Sequence, residues 1–218
     1  MALAERIPAN FARIDIEGIP FIRKQDGKEE STLTDRPFSH IDEFLNFYPS
    51  KIIERLIFLH PDRPIHILDL GGGSLSRAAN DLVTQYDTKV KVVNADISVS
   101  PQRGSQVLVV QTDATSLPLR DGSFDMIYSY QMLPYLDPRS NYVKEIKVLR
   151  ECSRLLKDGG YALFDEIHFS RVKKNSSELK VLAHGLDVNV TFLDRGKTMS
   201  RFSSWFYRIS TKFMVLEK

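Results

Sequence analysis

An apolar run ending in three consecutive glycines constrains this 218-residue chain more than any other feature. In Ile65-His66-Ile67-Leu68-Asp69-Leu70-Gly71-Gly72-Gly73-Ser74-Leu75-Ser76, the stretch Ile67 to Leu70 reads as a buried parallel strand. From Ser76 to Val83 the pattern becomes helical, with Ala79, Leu82, Val83 and Tyr86 on the inner face. Strand, glycine turn and helix in succession bring backbone close to a ligand. Glycine has no Cβ to obstruct the approach and tolerates φ > 0. The helix start also offers unpaired N–H groups.

The stretch departs from the dinucleotide fingerprint. G-x-G-x-x-G would place glycines at 71, 73 and 76, and position 76 is Ser76. Asp69 at the strand end would repel a pyrophosphate, whereas it suits a ligand carrying an ammonium or a sulfonium. That points away from NAD and towards S-adenosylmethionine. Taken alone, the stretch also fits a glycine-rich turn with no ligand.

Length suits one α/β domain with a small extension. Hydrophobic residues make up 42% and charged residues 27%, which permits a substantial core and argues against wholesale disorder. The first residues, Met1 to Arg6, lack the apolar run of a signal peptide, and no segment approaches the ~20 apolar residues of a membrane span. The single cysteine, Cys152, excludes a disulfide framework and fits a reducing compartment, so the expected location is cytoplasmic. Its place on a helical apolar stripe reads as core packing. No cluster of ligand-type residues suggests a metal. Charge is uneven: residues 171–218 hold 10 Lys/Arg against 4 Asp/Glu, whereas residues 1–170 hold 20 against 24. The tail is locally basic.

In chain order, residues 1–38 precede the α/β pattern. Arg13 to Ile16 and the residues around Pro20 suggest short strands, with Pro20 at an edge, and Lys28 to Thr34 read as polar and mobile. This segment is read as an N-terminal extension that could lie over the ligand site, followed by one domain over residues 39–218. Ser39 to Tyr48 reads as a helix with Ser39 as N-cap, which Pro49 breaks or restarts, and the pattern continues from Lys51 to Leu59. Further strands are expected at 89–96, 106–111, 124–129, 161–167, 188–193 and 205–216. A long helix starts at Asp137-Pro138 and is ended by Asp158-Gly159-Gly160. A short helix is expected at 176–184. Right-handed crossovers would bring Asp69 to Gly73, Asp96, Asp113 and Ser129 to Gln131 to one sheet edge, where ligands bind. Asp96 follows Gly71 at about the spacing of an acid that accepts ribose hydroxyls.

Four stretches together resemble the class I S-adenosylmethionine-dependent methyltransferases of small-molecule type. They are Ile67 to Gly73; Val92 to Ser98; Asp113-Ala114-Thr115-Ser116-Leu117-Pro118-Leu119-Arg120-Asp121-Gly122-Ser123-Phe124-Asp125, the most specific; and Leu149 to Gly160. The resemblance covers roughly residues 40–170. It implies a three-layer αβα Rossmann-like fold whose seven-stranded, mostly parallel sheet runs 3-2-1-4-5-7-6 with strand 7 antiparallel. It implies S-adenosyl-L-methionine as cofactor. Gly71, Gly72 and Gly73 would pass beneath its methionine part with Asp69 near the ammonium. Asp96, beside Ile97, would accept the ribose hydroxyls. Asp113 and the Ala114 N–H would meet the adenine, and Ser129 and Tyr130 would line the methionine end. Leu75 stands where the family commonly has another glycine, and Pro134-Tyr135 replace a histidine often found after the fourth strand.

Methyl transfer from a sulfonium is an in-line displacement governed by alignment. A base is needed only when the acceptor must lose a proton. His168, Tyr130 and Tyr135 are the candidates, each also readable as pocket lining. If the sixth strand is parallel and the seventh antiparallel, Arg171, Lys173, Lys174, Arg195, Lys197 and Arg201 would rim the acceptor side and favour an anionic small molecule; they read equally well as a solvated basic face. A methyltransferase acting on RNA or protein, and a catalytically silent cofactor-binding module, are the alternatives. Oligomeric state is not legible.

Overall fold

The computed structural model describes residues 11–16, 19–24, 30–32, 36–45, 47–73, 75–97, 104–130, 132, 143–164, 188–194 and 212–218. Near the N-terminus, β1 (Phe11–Ile16), β2 (Ile19–Lys24) and β3 (Glu30–Thr32) form an antiparallel sheet in that order. Two expectations fail here. Residues 30–32 form a strand despite their polarity, because hydrogen bonds to β2 do not depend on apolar side chains. Pro20 lies in the middle strand, opposite Asp15, but β3 pairs only from Phe21 onward, so the missing N–H of Pro20 leaves no gap in the ladder.

Two helices follow, α1 (Phe38–Phe44) and α2 (Tyr48–Leu59). The N-cap of α1 is Pro37, not Ser39, and the Phe38 N–H donates instead to Asp81 Oδ2 at 2.9 Å. The break falls at Phe47, whose φ is +61°, and of the two readings of Pro49 the structure bears out the restart, with the proline in the first turn of α2. A first-turn proline needs no hydrogen-bond partner for its nitrogen. Asp42, 8% exposed, caps this second start by accepting the Ser50 N–H at 2.8 Å.

The main sheet comprises β4 (Ile65–Leu70), β5 (Val90–Asp96), β6 (Leu108–Gln111), β7 (Phe124–Ser129), β8 (Leu156–Phe164), β9 (Asn189–Asp194) and β10 (Lys212–Glu217). Their order is β6-β5-β4-β7-β8-β10-β9. Only the pairings of β10, with β8 and with β9, are antiparallel. This is the order 3-2-1-4-5-7-6 with an antiparallel seventh strand. The helix α3 (Arg77–Tyr86) follows β4, and α4 (Val143–Leu155) precedes β8.

Both faces of the central strands are covered, which is why they read as continuous apolar runs. Ile65 and Ile67 meet Phe38, Ile41, Ile53, Leu56, Ala79 and Leu82 from α1, α2 and α3. Leu68 and Leu70 meet Val148, Leu149, Cys152 and Leu155 of α4. Each such aliphatic or aromatic side chain, once fully buried, contributes roughly 1.5–3 kcal/mol. Cys152 is fully buried, and burial pushes its thiol pKa upward, as suits a packing residue. The α4 helix ends at Leu155, and Asp158-Gly159-Gly160 lie within β8. Between the pairs Phe124–Leu156 and Met126–Tyr161, β8 carries the excess residues as a bulge, with Gly159 at φ +77°. Glycines read from sequence as a helix stop are here the bend of a strand. The fifth-strand residues 165–167, the helix at 176–184 and the front of the last strand lie outside the described residues.

At the edge where β4 and β7 begin, Asp125 is 3% exposed and accepts four hydrogen bonds. Arg63 donates two, Nη1 to Oδ2 at 2.9 Å and Nη2 to Oδ1 at 2.7 Å. The His66 N–H and Lys157 Nζ each donate to Oδ2 at 2.8 Å. Burial alone would raise the Asp125 pKa, but Arg63, Lys157 and the His66 N–H together push it down to about 2. The nearby Arg154 guanidinium bonds Asp121, Glu151 and the carbonyls of Leu117 and Leu119, while the Leu117 N–H donates to Glu151 Oε2. Half of the most distinctive sequence motif is therefore a fastening for the strand entry, away from the glycine turn.

Candidate functional site

The opposite edge gathers the glycine turn and the ends of β4, β5, β6 and β7. Register fixes what stands beside what: Asp69 pairs with Asn94 on one side and with Tyr128 on the other. All three are nearly inaccessible, at 1%, 0% and 0%. Neighbouring positions in one register row share a face, and this row lies on the α3 side, because Asn94 Nδ2 donates to the Gly73 carbonyl at 2.8 Å and to Ser76 Oγ at 2.5 Å. Asn94, Asp69 and Tyr128 form a polar pedestal under the turn. Burial, and then the neighbouring Asp69 carboxylate, push the Tyr128 phenol pKa well above its ordinary value. It stays a neutral phenol.

The turn itself admits little change. A Cβ on Gly72 would stand 2.3 Å from Asp69 Cγ and Oδ2, so the carboxylate occupies the space that glycine vacates. Gly71 has φ +76°, and a Cβ there would meet Met132 Cγ at 2.7 Å. Gly73 has φ +80° and Ser76 φ +54°. Ser76 therefore adopts a left-handed conformation, and it precedes α3 instead of beginning it. The strain is offset by the bond its hydroxyl accepts from Asn94.

Asp96 closes the turn from the next strand, its Oδ2 accepting the Gly73 N–H at 3.0 Å. Asp96 also pairs with Gln111, and its carbonyl accepts the Thr112 N–H at 2.9 Å. Asp113 therefore stands two residues past the end of the neighbouring strand. Its Oδ1 accepts from the Thr115 N–H at 2.8 Å and Thr115 Oγ at 2.7 Å, an Asx turn that presents the exposed carboxylate at the edge. Ile97 is 40% exposed beside it, and Ala114 is half-buried. Ser129, at the end of β7, is 1% exposed, and its hydroxyl has no hydrogen-bond partner among the described residues. Asp69, the three glycines, Asp96, Ile97, Asp113, Ala114, Ser129 and Tyr130 all come to this edge. His168 and Tyr135 lie outside the described residues, as do the basic residues Arg171, Lys173, Lys174, Arg195, Lys197 and Arg201.

Three site residues were not singled out from sequence. Asn94 and Tyr128 left a signal, polar atoms inside otherwise apolar strands. His40 left none. It reaches Tyr130 because α1 packs on α3 and across the end of β7. His40 Nε2 lies 3.2 Å from the Tyr130 hydroxyl, and the Phe44 ring meets the Tyr130 ring edge-on at 5.0 Å.

Residues 68–164 match the family model described as a methyltransferase domain. Malonyl-[acyl-carrier protein] O-methyltransferase 1 of Coxiella burnetii is 28% identical over 54% of this chain and 38% of its own length. Sarcosine/dimethylglycine N-methyltransferase of Halorhodospira halochloris is 30% identical over 50% of this chain and 39% of its own length. The chain thus spans under two-fifths of these curated relatives. A structure of Haemonchus contortus phosphoethanolamine N-methyltransferase 2 with S-adenosyl-L-methionine covers 95% of this chain and 71% of that one, at TM-score 0.50 and 11% identity, a likeness of fold.

Proposed function

We propose that residues 68–164, which match a methyltransferase-domain family model, form a class I S-adenosylmethionine-dependent methyltransferase domain, and that the chain binds S-adenosyl-L-methionine at the glycine turn and transfers its methyl group to a small acceptor. The observation that carries this is the junction of three strand ends: Asp96 holds the Gly73 N–H at 3.0 Å while Asp113 stands at the end of the adjoining strand. A carboxylate at each of those positions suits the ribose hydroxyls and the adenine amine of one adenosyl group. The cradle under Gly72 suits a chain passing close over it, and the buried hydroxyl of Ser129 suits the amino-acid end. When bound, the cofactor supplies an electrophilic methyl on a sulfonium. The protein's part is to hold that methyl in line with the acceptor.

The acceptor in this reading is anionic. The excess of Lys and Arg over residues 171–218 supports it, as do the acceptors named for the two curated relatives, malonyl and sarcosine or dimethylglycine groups, which are carboxylates. The reading of residues 1–38 as a cover belongs to the same proposal. Calorimetric titration with S-adenosylhomocysteine tests the cofactor reading: micromolar binding with no binding of NAD is expected, and the reverse overturns it. A panel of small carboxylates and phosphates, incubated with S-adenosylmethionine and followed by S-adenosylhomocysteine release, tests the acceptor. The triple variant K173E/K174E/K197E should raise the KM of whichever acceptor turns over. Turnover confined to RNA or protein would replace the small acceptor.

A further inference from the structure

Resting on the cofactor reading above, we propose that His40 and Tyr130 form the proton-accepting pair of this site, Tyr130 touching the acceptor and His40 acting through it. The register places Tyr130 two residues beyond Tyr128, and Gly71 two residues beyond its partner Asp69. The residue after next, Met132, lies against Gly71. The segment carrying Tyr130 thus runs beside the glycine turn, where the methionine part of the cofactor belongs. α1 approaches from the same face, anchored by the Phe38 N–H on Asp81 and by the Phe38 ring against Tyr128. His40 and Phe44 then meet Tyr130 edge-on, at 5.8 and 5.0 Å between ring centroids, and fix its plane.

In the tautomer with the proton on Nδ1, the Tyr130 hydroxyl donates to His40 Nε2 at 3.2 Å. As the acceptor atom bonds to the methyl carbon, the S–CH3 electron pair returns to sulfur, leaving a neutral thioether. The acceptor's proton passes to Tyr130 Oη while the phenol proton passes to Nε2. His40 is exposed and returns the proton to solvent. Partial desolvation of the ring side packed against Tyr130 and Phe44, and then the Arg36 charge, lower the His40 pKa against an opposing pull from Glu43, so the imidazole is neutral and able to accept at pH 7. Among the described residues these are the charges that act on it, both at the same end of the chain as α1. A tyrosine alone, with an ordinary pKa near 10, would have no such outlet.

The test needs no acceptor, because S-adenosylmethionine and S-adenosylhomocysteine differ by one charge at the sulfur. The imidazole signals of the full chain are titrated by NMR in each complex, with His40 assigned by its loss in H40Q. A positive sulfonium near the pair should lower the His40 pKa by roughly half a unit relative to the homocysteine complex. His66, at the opposite edge beside Ser123, should titrate identically in both. In Y130F, the His40 pKa of the unliganded protein should move, since the phenol no longer donates to it. Equal His40 values in the two complexes, with both ligands bound, overturn this proposal alone. Failure of both ligands to bind overturns the cofactor reading and this proposal with it.

Discussion

Asp125 enters β7 at one edge of the main sheet, and Asp96 leaves β5 at the other. Asp125 is closed in by Arg63, Lys157 and the His66 N–H, two of them full positive charges. Asp96 accepts an uncharged backbone N–H from Gly73 and remains half-buried. A carboxylate saturated by cations has nothing left to offer a ligand and serves to fasten strands. In the function proposed above, one leaning on a backbone amide keeps charge for an incoming hydroxyl. On that reading the environment of each carboxylate, not its residue type, divides structural from ligand-facing roles.

Substitutions at the two edges should therefore separate stability from binding. The largest effect is expected from Gly72→Ala, which drives a methyl into Asp69 at 2.3 Å. S-adenosylhomocysteine affinity should fall about a hundredfold by calorimetry, and overpacking should cost about 1–3 kcal/mol in chemical denaturation. Affinity near wild type would mean that the turn is not the ligand cradle. Next, Asp125→Ala strands Arg63 and Lys157. Because those side chains are 39% and 27% exposed, the cost should be about 2–3 kcal/mol, less than for a fully buried pair. The folded fraction of this variant should bind S-adenosylhomocysteine as the parent does. A large loss of affinity would erase the contrast between the edges.

The depressed pKa of Asp125, about 2 in the fold, gives the contrast a pH signature. Stability it contributes is fully present above the ordinary carboxylate value near 4 and is lost as pH falls from there towards about 2. Acid denaturation of Asp125→Asn should lack that component of the slope, and an unchanged slope would show that other carboxylates govern it. Asp96→Asn should weaken S-adenosylhomocysteine about tenfold with little change in melting temperature. The smallest effect is expected from Ser76→Gly. Relief of a left-handed backbone and loss of the Asn94 bond, each about 1 kcal/mol, should nearly cancel in denaturant unfolding.

The centre of the main sheet was largely legible because its strands are buried on both faces. Leu68, Leu70, Val92 and Ile127 produce apolar runs that no exposed strand would show. The glycine turn and the acids Asp96 and Asp113 were legible from their spacing after those runs. The bend was legible only to within a pair of readings at Pro49, because a proline can either break a helix or open its first turn, and nothing in the sequence singled out Phe47. The bulge in β8, where two glycines imitate a helix end, was not legible. Asp125 was legible as part of a motif but not as a fastening, since its partners Arg63 and Lys157 lie far away in sequence. His40 was hidden for the same reason. It meets Tyr130 through the docking of α1 on α3 and across the end of β7, which no local pattern encodes.

The pedestal of Asn94, Asp69 and Tyr128 has a kinetic corollary. If the turn above it is the berth proposed here, it is tied down beforehand and would not need to be remade at each visit. The traffic of spent and fresh molecules would then be timed by whatever roofs the berth, and loosening the roof should quicken exchange without blurring its fit.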